Sequence, residues 1–188
     1  MSANNRSREV AKRLFAAELR EADHMFKEDD DEYAPSYMLL PSGGKANRVL
    51  VVGTLTEKEE RDGYFSCRIN DSTGNFLVYA GQYQPEAADA LRNIDAPAYV
   101  AVVGKPKTFE SDEGDVISNV RPETVVEVSE GVRNKWVSET AEDTLERLNL
   151  SPENDEYVER SEDHYGSERA DIVDDVISAL ENLDMETQ

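Results

Sequence analysis

Tyr64, Arg68 and Tyr79 fall in two short runs of alternating character, Tyr64-Phe65-Ser66-Cys67-Arg68-Ile69-Asn70 and Asn75-Phe76-Leu77-Val78-Tyr79-Ala80. Strand side chains point to opposite faces in turn. Phe65, Cys67, Ile69, Phe76, Val78 and Ala80 therefore form buried sets, and Tyr64, Arg68 and Tyr79 share the outer surface. Two flat rings and a guanidinium on one open sheet face suit stacking against bases and contact with phosphate. The densest basic cluster, Lys105-Pro106-Lys107-Thr108-Phe109, adds two cations and a ring where a later strand leads into a loop. Arg121, just before Pro122, belongs near the same end. Lysine is scarce, 7 against 13 arginines, so two lysines beside a phenylalanine are informative. Plainer readings stay open. Tyrosine is common in strands through propensity, the outer face could hold an N-terminal arm, and hairpin ends often carry lysine to blunt pairing.

No other residues have the spacing of a catalytic or metal site. The sequence contains no Gly-rich phosphate loop and no nucleophile elbow. Cys67 is the lone cysteine, which excludes an internal disulfide, and it reads as a small apolar filler. His24 and His164 stand in separate polar segments without Cys or His at ligand spacing. Asp71-Ser72-Thr73-Gly74 reads as a turn whose acid satisfies turn amides. The expectation is a non-enzyme with no cofactor, no metal and no small-molecule substrate.

The elements that must position the outer-face residues follow in a definite order. Val49–Thr56 is a first strand, and Asp62-Gly63 is a hairpin turn in which both residues tolerate positive φ. Strands Tyr64–Asn70 and Asn75–Ala80 follow. Pro85, Glu86 and the Ala/Leu run to Leu91 then start and propagate a helix. Pro97 resets the chain, and Tyr99–Lys105 and Val116–Val128 close the series around a turn at Asp112–Asp115. Three strands, a helix and two strands is the order of a five-stranded OB-fold Greek-key barrel, a fold that binds oligonucleotides and oligosaccharides. The fold class is thus an all-β core with helical arms.

The runs Arg68-Ile69-Asn70-Asp71-Ser72-Thr73-Gly74-Asn75-Phe76, Val78-Tyr79-Ala80-Gly81-Gln82-Tyr83-Gln84-Pro85-Glu86, Val120-Arg121-Pro122-Glu123 and Trp136-Val137 carry a family resemblance, as does the leader Arg8–Glu18. They resemble the replication protein A-associated OB-fold proteins of halophilic archaea, similar in layout to the middle subunit of replication protein A. The match covers about residues 7–150. The resemblance implies a subunit that binds single-stranded DNA beside a larger replication protein A subunit, in replication and repair. The alternative is an interaction subunit of the same complex with no direct DNA contact. A third reading, an acidic mimic of nucleic acid, is weaker because the acid is not concentrated on one face.

The formal charge is −21, from 41 acidic and 20 basic residues. An acidic, lysine-poor surface keeps a protein hydrated in a salt-filled cytoplasm; the plain alternative is an acidic chain with disordered tails. At 1 M salt the screening length is only ~3 Å, so this charge does not exclude phosphate, and counterion release contributes little there. No apolar run approaches a membrane span of about 20 residues, and the N-terminus is polar. The expected location is cytoplasmic, with no membrane partner.

Around the barrel at residues 46–128, residues 1–27 read as an amphipathic helix over 7–26, capped by Ser7 and lined by Val10, Leu14, Phe15, Leu19 and Ala22. Residues 28–45 comprise a solvated acid run, Glu28–Glu32, and a linker lying along the barrel through Tyr37, Met38, Leu39 and Leu40. Residues 129–150 hold a helix with Val132, Trp136, Thr140, Thr144 and Leu148 every fourth residue, flanked by Val137, Ala141 and Leu145. That stripe is expected to anchor a partner subunit, the alternative being a cap on its own barrel. Residues 151–169 read as an acidic flexible tether. Residues 170–188 read as a short amphipathic helix that either docks on the body or serves as a recruitment peptide.

Overall fold

A computed structural model of the chain describes residues 8–153, 155–166 and 168–186. In chain order the described elements are β1 (Lys12–Arg13), α1 (Ala16–Glu21), β2 (Met25–Lys27), β3 (Ser36–Leu39) and β4 (Lys45–Ala46). The barrel elements follow as β5 (Val49–Arg61), β6 (Tyr64–Asn70), β7 (Asn75–Ala80), α2 (Pro85–Asn93), β8 (Ala98–Glu110) and β9 (Val116–Glu127). The chain ends in α3 (Glu130–Leu148), α4 (Glu156–Tyr165) and α5 (Glu168–Glu186).

The five barrel strands close on themselves. β5 runs antiparallel to β6, β6 to β7, β9 to β8 and β8 to β5, while β7 and β9 are parallel. This is the expected OB barrel. Asp62 and Gly63 turn between β5 and β6 with φ of 53° and 78°, the left-handed pair that a two-residue hairpin needs. β5 and β8 outrun the expected ends at Thr56 and Lys105. A bulge hides the rest of β5, because Leu55 pairs with Ile69 but Glu57 with Arg68. The extra Thr56 breaks the alternation on which the reading depended.

Val51, Leu55, Phe65, Cys67, Ile69, Phe76, Val78, Val100, Val102 and Val120 fill the barrel. α2 closes the end beyond Ala80 with Ala87, Ala88 and Leu91. The carbonyls of Leu91 in its last turn and of Ile94 just beyond it accept from Lys58 Nζ at 2.7 and 2.6 Å, a cation at the negative helix end. α1 closes the opposite end with Ala16 and Leu19. No helix among the described residues is long and apolar enough to cross a membrane.

The helix expected over residues 7–26 shrinks to the six residues of α1; its expected cap, Ser7, lies outside the described residues. β1 instead pairs in parallel with Val49–Leu50. Leu14 then enters the barrel core while Phe15 joins a second apolar cluster. Helix starts only where the barrel supplies a cap. Asp71 Oδ2 accepts from Ala16 N at 2.6 Å, and Thr73 Oγ1 from Ala17 N at 3.0 Å. Asp71 Oδ1 also accepts from Thr73 N at 2.9 Å, so the acid does satisfy turn amides. Burial raises its carboxyl above the usual range against these hydrogen bonds. Strand pairing thus overrode a helical spacing.

The expected linker does lie along the body, with Met38, Leu39 and Leu40 buried. It is not irregular: β3 pairs with β2 and β4 in a small antiparallel sheet. The acid run Glu28–Glu32 is exposed throughout.

α3 lies on the outer side of β5 in a second core of Phe15, Val52, Trp136, Val137, Ala141, Ile172, Val176 and Ala179. The Trp136 ring meets Phe15 edge to face at 5.5 Å, and its Nε1–H donates to Leu50 O at 3.2 Å. The stripe expected to anchor a partner is therefore largely covered by this chain. Trp136, Val137, Thr140, Ala141 and Thr144 are buried, and Leu145 and Leu148 pack at the edge of the cluster. Of the expected interface only Val132 stays well exposed, at 49%. α5 is the reason, since it docks and supplies the apolar face that α3 required from elsewhere.

The tether expected over 151–169 is likewise corrected to α4. Val158, Ser161 and Tyr165 are buried on one side of it, while Glu159, Glu162 and Asp163 are exposed. Ser161 Oγ donates to Leu40 O at 2.8 Å and Tyr165 Oη to Leu39 O at 2.7 Å, pinning α4 to the small sheet. Composition hid a stripe that spacing contained. Glu18, fully buried, pairs with Arg147 at 3.2 Å and accepts from Ser42 N at 3.0 Å, which ties α1 and α3 to the turn before β4.

Candidate nucleic-acid interface

The outer face of β6, β7, β9 and β8 carries the candidate site. Ser66 is opposite Tyr79, which makes Tyr64 its diagonal neighbour across the β6–β7 ladder. Their rings lie 6.2 Å apart and within 20° of parallel. Gly81 makes room for this: a Cβ there would meet Tyr64 Cδ2 at 2.9 Å. On β9, Val120 faces the core, so Arg121 emerges beside the tyrosines. Its Nη1 donates to Tyr64 Oη at 3.1 Å, and its guanidinium lies 5.5 Å from the centre of the Tyr79 ring. Phe109 approaches Tyr79 edge-on at 6.3 Å and is 40% exposed. Together these groups form a partly open aromatic platform pinned by one guanidinium.

Lys105 pairs with Arg121 and Lys107 with Asn119 across β8 and β9. Lys105, Lys107 and Phe109 stand on the strand itself rather than at a loop entrance, because β8 runs on to Glu110 with the same alternation. The Lys107 ammonium is pushed below its usual range first by burial, then by the like charges of Lys105, Arg121 and Lys27. The Tyr79 hydroxyl is raised first by burial and then by Tyr64, against the charges of Arg121 and Arg68. Arg68 differs from the other cations of the site: it pairs with Glu57 at 3.3 Å. Lys27, Lys105, Lys107 and Arg121 have no ion pair among the described residues.

Three further residues belong to this surface. Tyr83, 83% exposed, lines an open cleft of about 840 Å³ with Tyr64, Gly81, Arg92 and Arg121. It belongs to the run Val78–Glu86 that carries the family resemblance, where an aromatic in a polar loop is the available signal. Asn119 faces outward between Leu77 and Lys107 yet is only 1% exposed, and its Oδ1 has no hydrogen-bond partner. The alternation Ile117, Asn119, Arg121 could have placed it. Lys27 arrives on β2 from far away in the chain, and nothing local announces it.

No protein-family model matches the chain, and no curated protein matches it in sequence. Solved structures do match. A chain of the S. pombe Stn1–Ten1 complex is 12% identical with a TM-score of 0.60, over 83% of this chain and 99% of that one. A chain of a replication protein A heterotrimer bound to ssDNA is 14% identical with a TM-score of 0.55, over 75% of this chain and 100% of that one. At these identities the likeness is one of fold, and it extends beyond the barrel strands to much of the flanking structure.

Proposed function

We propose that the chain is a single-stranded DNA-binding OB-fold subunit of a replication protein A-type complex, serving replication and repair beside a larger subunit. One observation carries this reading: in a chain of charge −21, Lys105, Lys107 and Arg121, none of them in an ion pair among the described residues, stand on adjacent strands beside near-parallel tyrosines on an outer barrel face. Like charges repel, so their concentration here favours an anionic ligand, and the rings favour one with flat bases. Bases stack on Tyr64, Tyr79 and Phe109, a sequence-tolerant contact. Arg121, Lys105 and Lys107 meet the phosphates, and Arg68 joins if it exchanges Glu57 for one. The fold likeness to a chain of a replication protein A heterotrimer bound to ssDNA supports the assignment.

The charge suits a high-salt setting, where short-range stacking outlasts screened attraction. Fluorescence anisotropy with a labelled oligothymidylate in molar KCl, against a duplex of equal length, tests the proposal. Saturable binding of the single strand with little binding of the duplex is expected. No binding by the chain, alone or with a co-purified larger subunit, would favour a protein-interaction role.

A further inference from the structure

We infer that the bound strand continues from the tyrosine platform across Lys107 and Lys105 into a second cleft, between the N-terminal segment and the barrel, which holds its phosphodiester backbone. This extension rests on the single-strand binding proposed above. The cleft measures about 830 Å³ and is lined by Arg8, Tyr33, Tyr37, Arg48, Lys105 and Lys107, among others. Lys105 and Lys107 are shared with the platform, so the two surfaces are continuous.

The charges of the cleft point to a polyanion. Its two carboxylates are already engaged: Glu123 pairs with Arg48 at 2.9 Å, and Glu9 accepts from the Tyr37 hydroxyl at 2.8 Å. Arg8, Lys105 and Lys107 face the trough without an ion pair among the described residues. Lys27 adds its field at Lys107. At the rim, Tyr33 is 80% exposed and offers a ring to a further base. The exposed acid run Glu28–Glu32 directly precedes Tyr33 in the chain and lines no part of the cleft.

The experiment compares the full chain with the variant Arg8→Glu/Tyr33→Ala, two exposed positions outside the tyrosine platform. Oligothymidylates of about 4 and about 16 nucleotides, the limits of OB-fold site sizes, are titrated by anisotropy in molar KCl. The variant should bind the short oligonucleotide like wild type and lose about tenfold or more on the long one, as expected for one lost stack. In the wild-type chain, a photoreactive thymidine placed along the long oligonucleotide should crosslink to residues 8 or 33 from one end only. Equal losses on both lengths, no loss on either, or no crosslink at the cleft would overturn the extension while leaving strand binding intact. Failure of wild type to bind either length would remove the platform and its extension together.

Discussion

Replacing Trp136 with alanine should cost the isolated chain about 4 kcal/mol of stability. Truncating a buried Trp or Phe to Ala costs ~3–5 kcal/mol, and Trp136 is only 4% exposed. Within that total lie the edge-to-face contact with Phe15, worth ~0.5–1.5 kcal/mol, and the Nε1–H hydrogen bond to Leu50 O, worth about 1 kcal/mol. The cavity would open where α3, α5 and β5 meet, and α5 cannot collapse into it without losing Ile172 and Val176 from the same cluster. In a chain of this length each kcal/mol shifts the melting temperature by ~2–4 °C, so a fall of about 8–16 °C is expected. Thermal denaturation followed by circular dichroism in molar KCl reads it directly. If Trp136 instead anchored a partner subunit, the isolated variant would melt within about 2 °C of wild type and lose only co-purification. That result would refute the internal packing described for α3.

Asn119→Leu should separate stability from binding. Removing an unpartnered buried acceptor, which costs ~1–3 kcal/mol, should raise the melting temperature of the free protein, while oligonucleotide affinity stays near wild type because Oδ1 is closed to solvent; a lower melting temperature would refute this reading. With a charge of −21, the fold should be more stable in molar KCl than in dilute buffer, and a melt showing the reverse would contradict the high-salt reading. His24 is held below its ordinary pKa of 6.5, first by burial and then by the charges of His164 and Arg160. The unfolded chain therefore binds that proton more readily, and stability should decline as pH falls through about 6.5. A melting series across that range in wild type and His24→Phe checks this, with a flatter dependence expected in the variant.

The barrel was legible because its signals are local. Alternation in Tyr64–Asn70 and Asn75–Ala80, the Asp62-Gly63 turn and Pro85 each act within a few residues, and the structure uses all of them. The flanks depart from the sequence expectation for a shared reason. Leu14 and Phe15 satisfy a helical spacing, yet β1 gains more from pairing with β5, and the cap that starts α1 is Asp71, 55 residues away. The acid in 151–169 suggested a tether, but Val158, Ser161 and Tyr165 are sufficient to dock α4 on a small sheet that was itself read as linker. Trp136 on a striped helix announced a large burial without saying against what; Ile172 and Val176, more than thirty residues on, answered within the chain. At the candidate site, alternation places Tyr64, Arg68 and Tyr79 on one face, and the position before Pro122 places Arg121 only near the lysines. The approach of Phe109 and Lys27 depended on the reach of β8 and on a hairpin of the N-terminal segment, which no local pattern encodes.

The central claim is that flat rings on the outer barrel face bind single-stranded bases. The most direct measurement is the affinity of Tyr64→Ala/Tyr79→Ala for a labelled oligothymidylate in molar KCl, at a temperature where its circular dichroism matches that of wild type. Each lost stack should cost ~1–3 kcal/mol, so affinity should fall by at least about thirtyfold for the pair. The slope of log affinity against log salt should stay nearly unchanged, because no phosphate contact is removed. A folded double variant that binds with wild-type affinity would contradict the account.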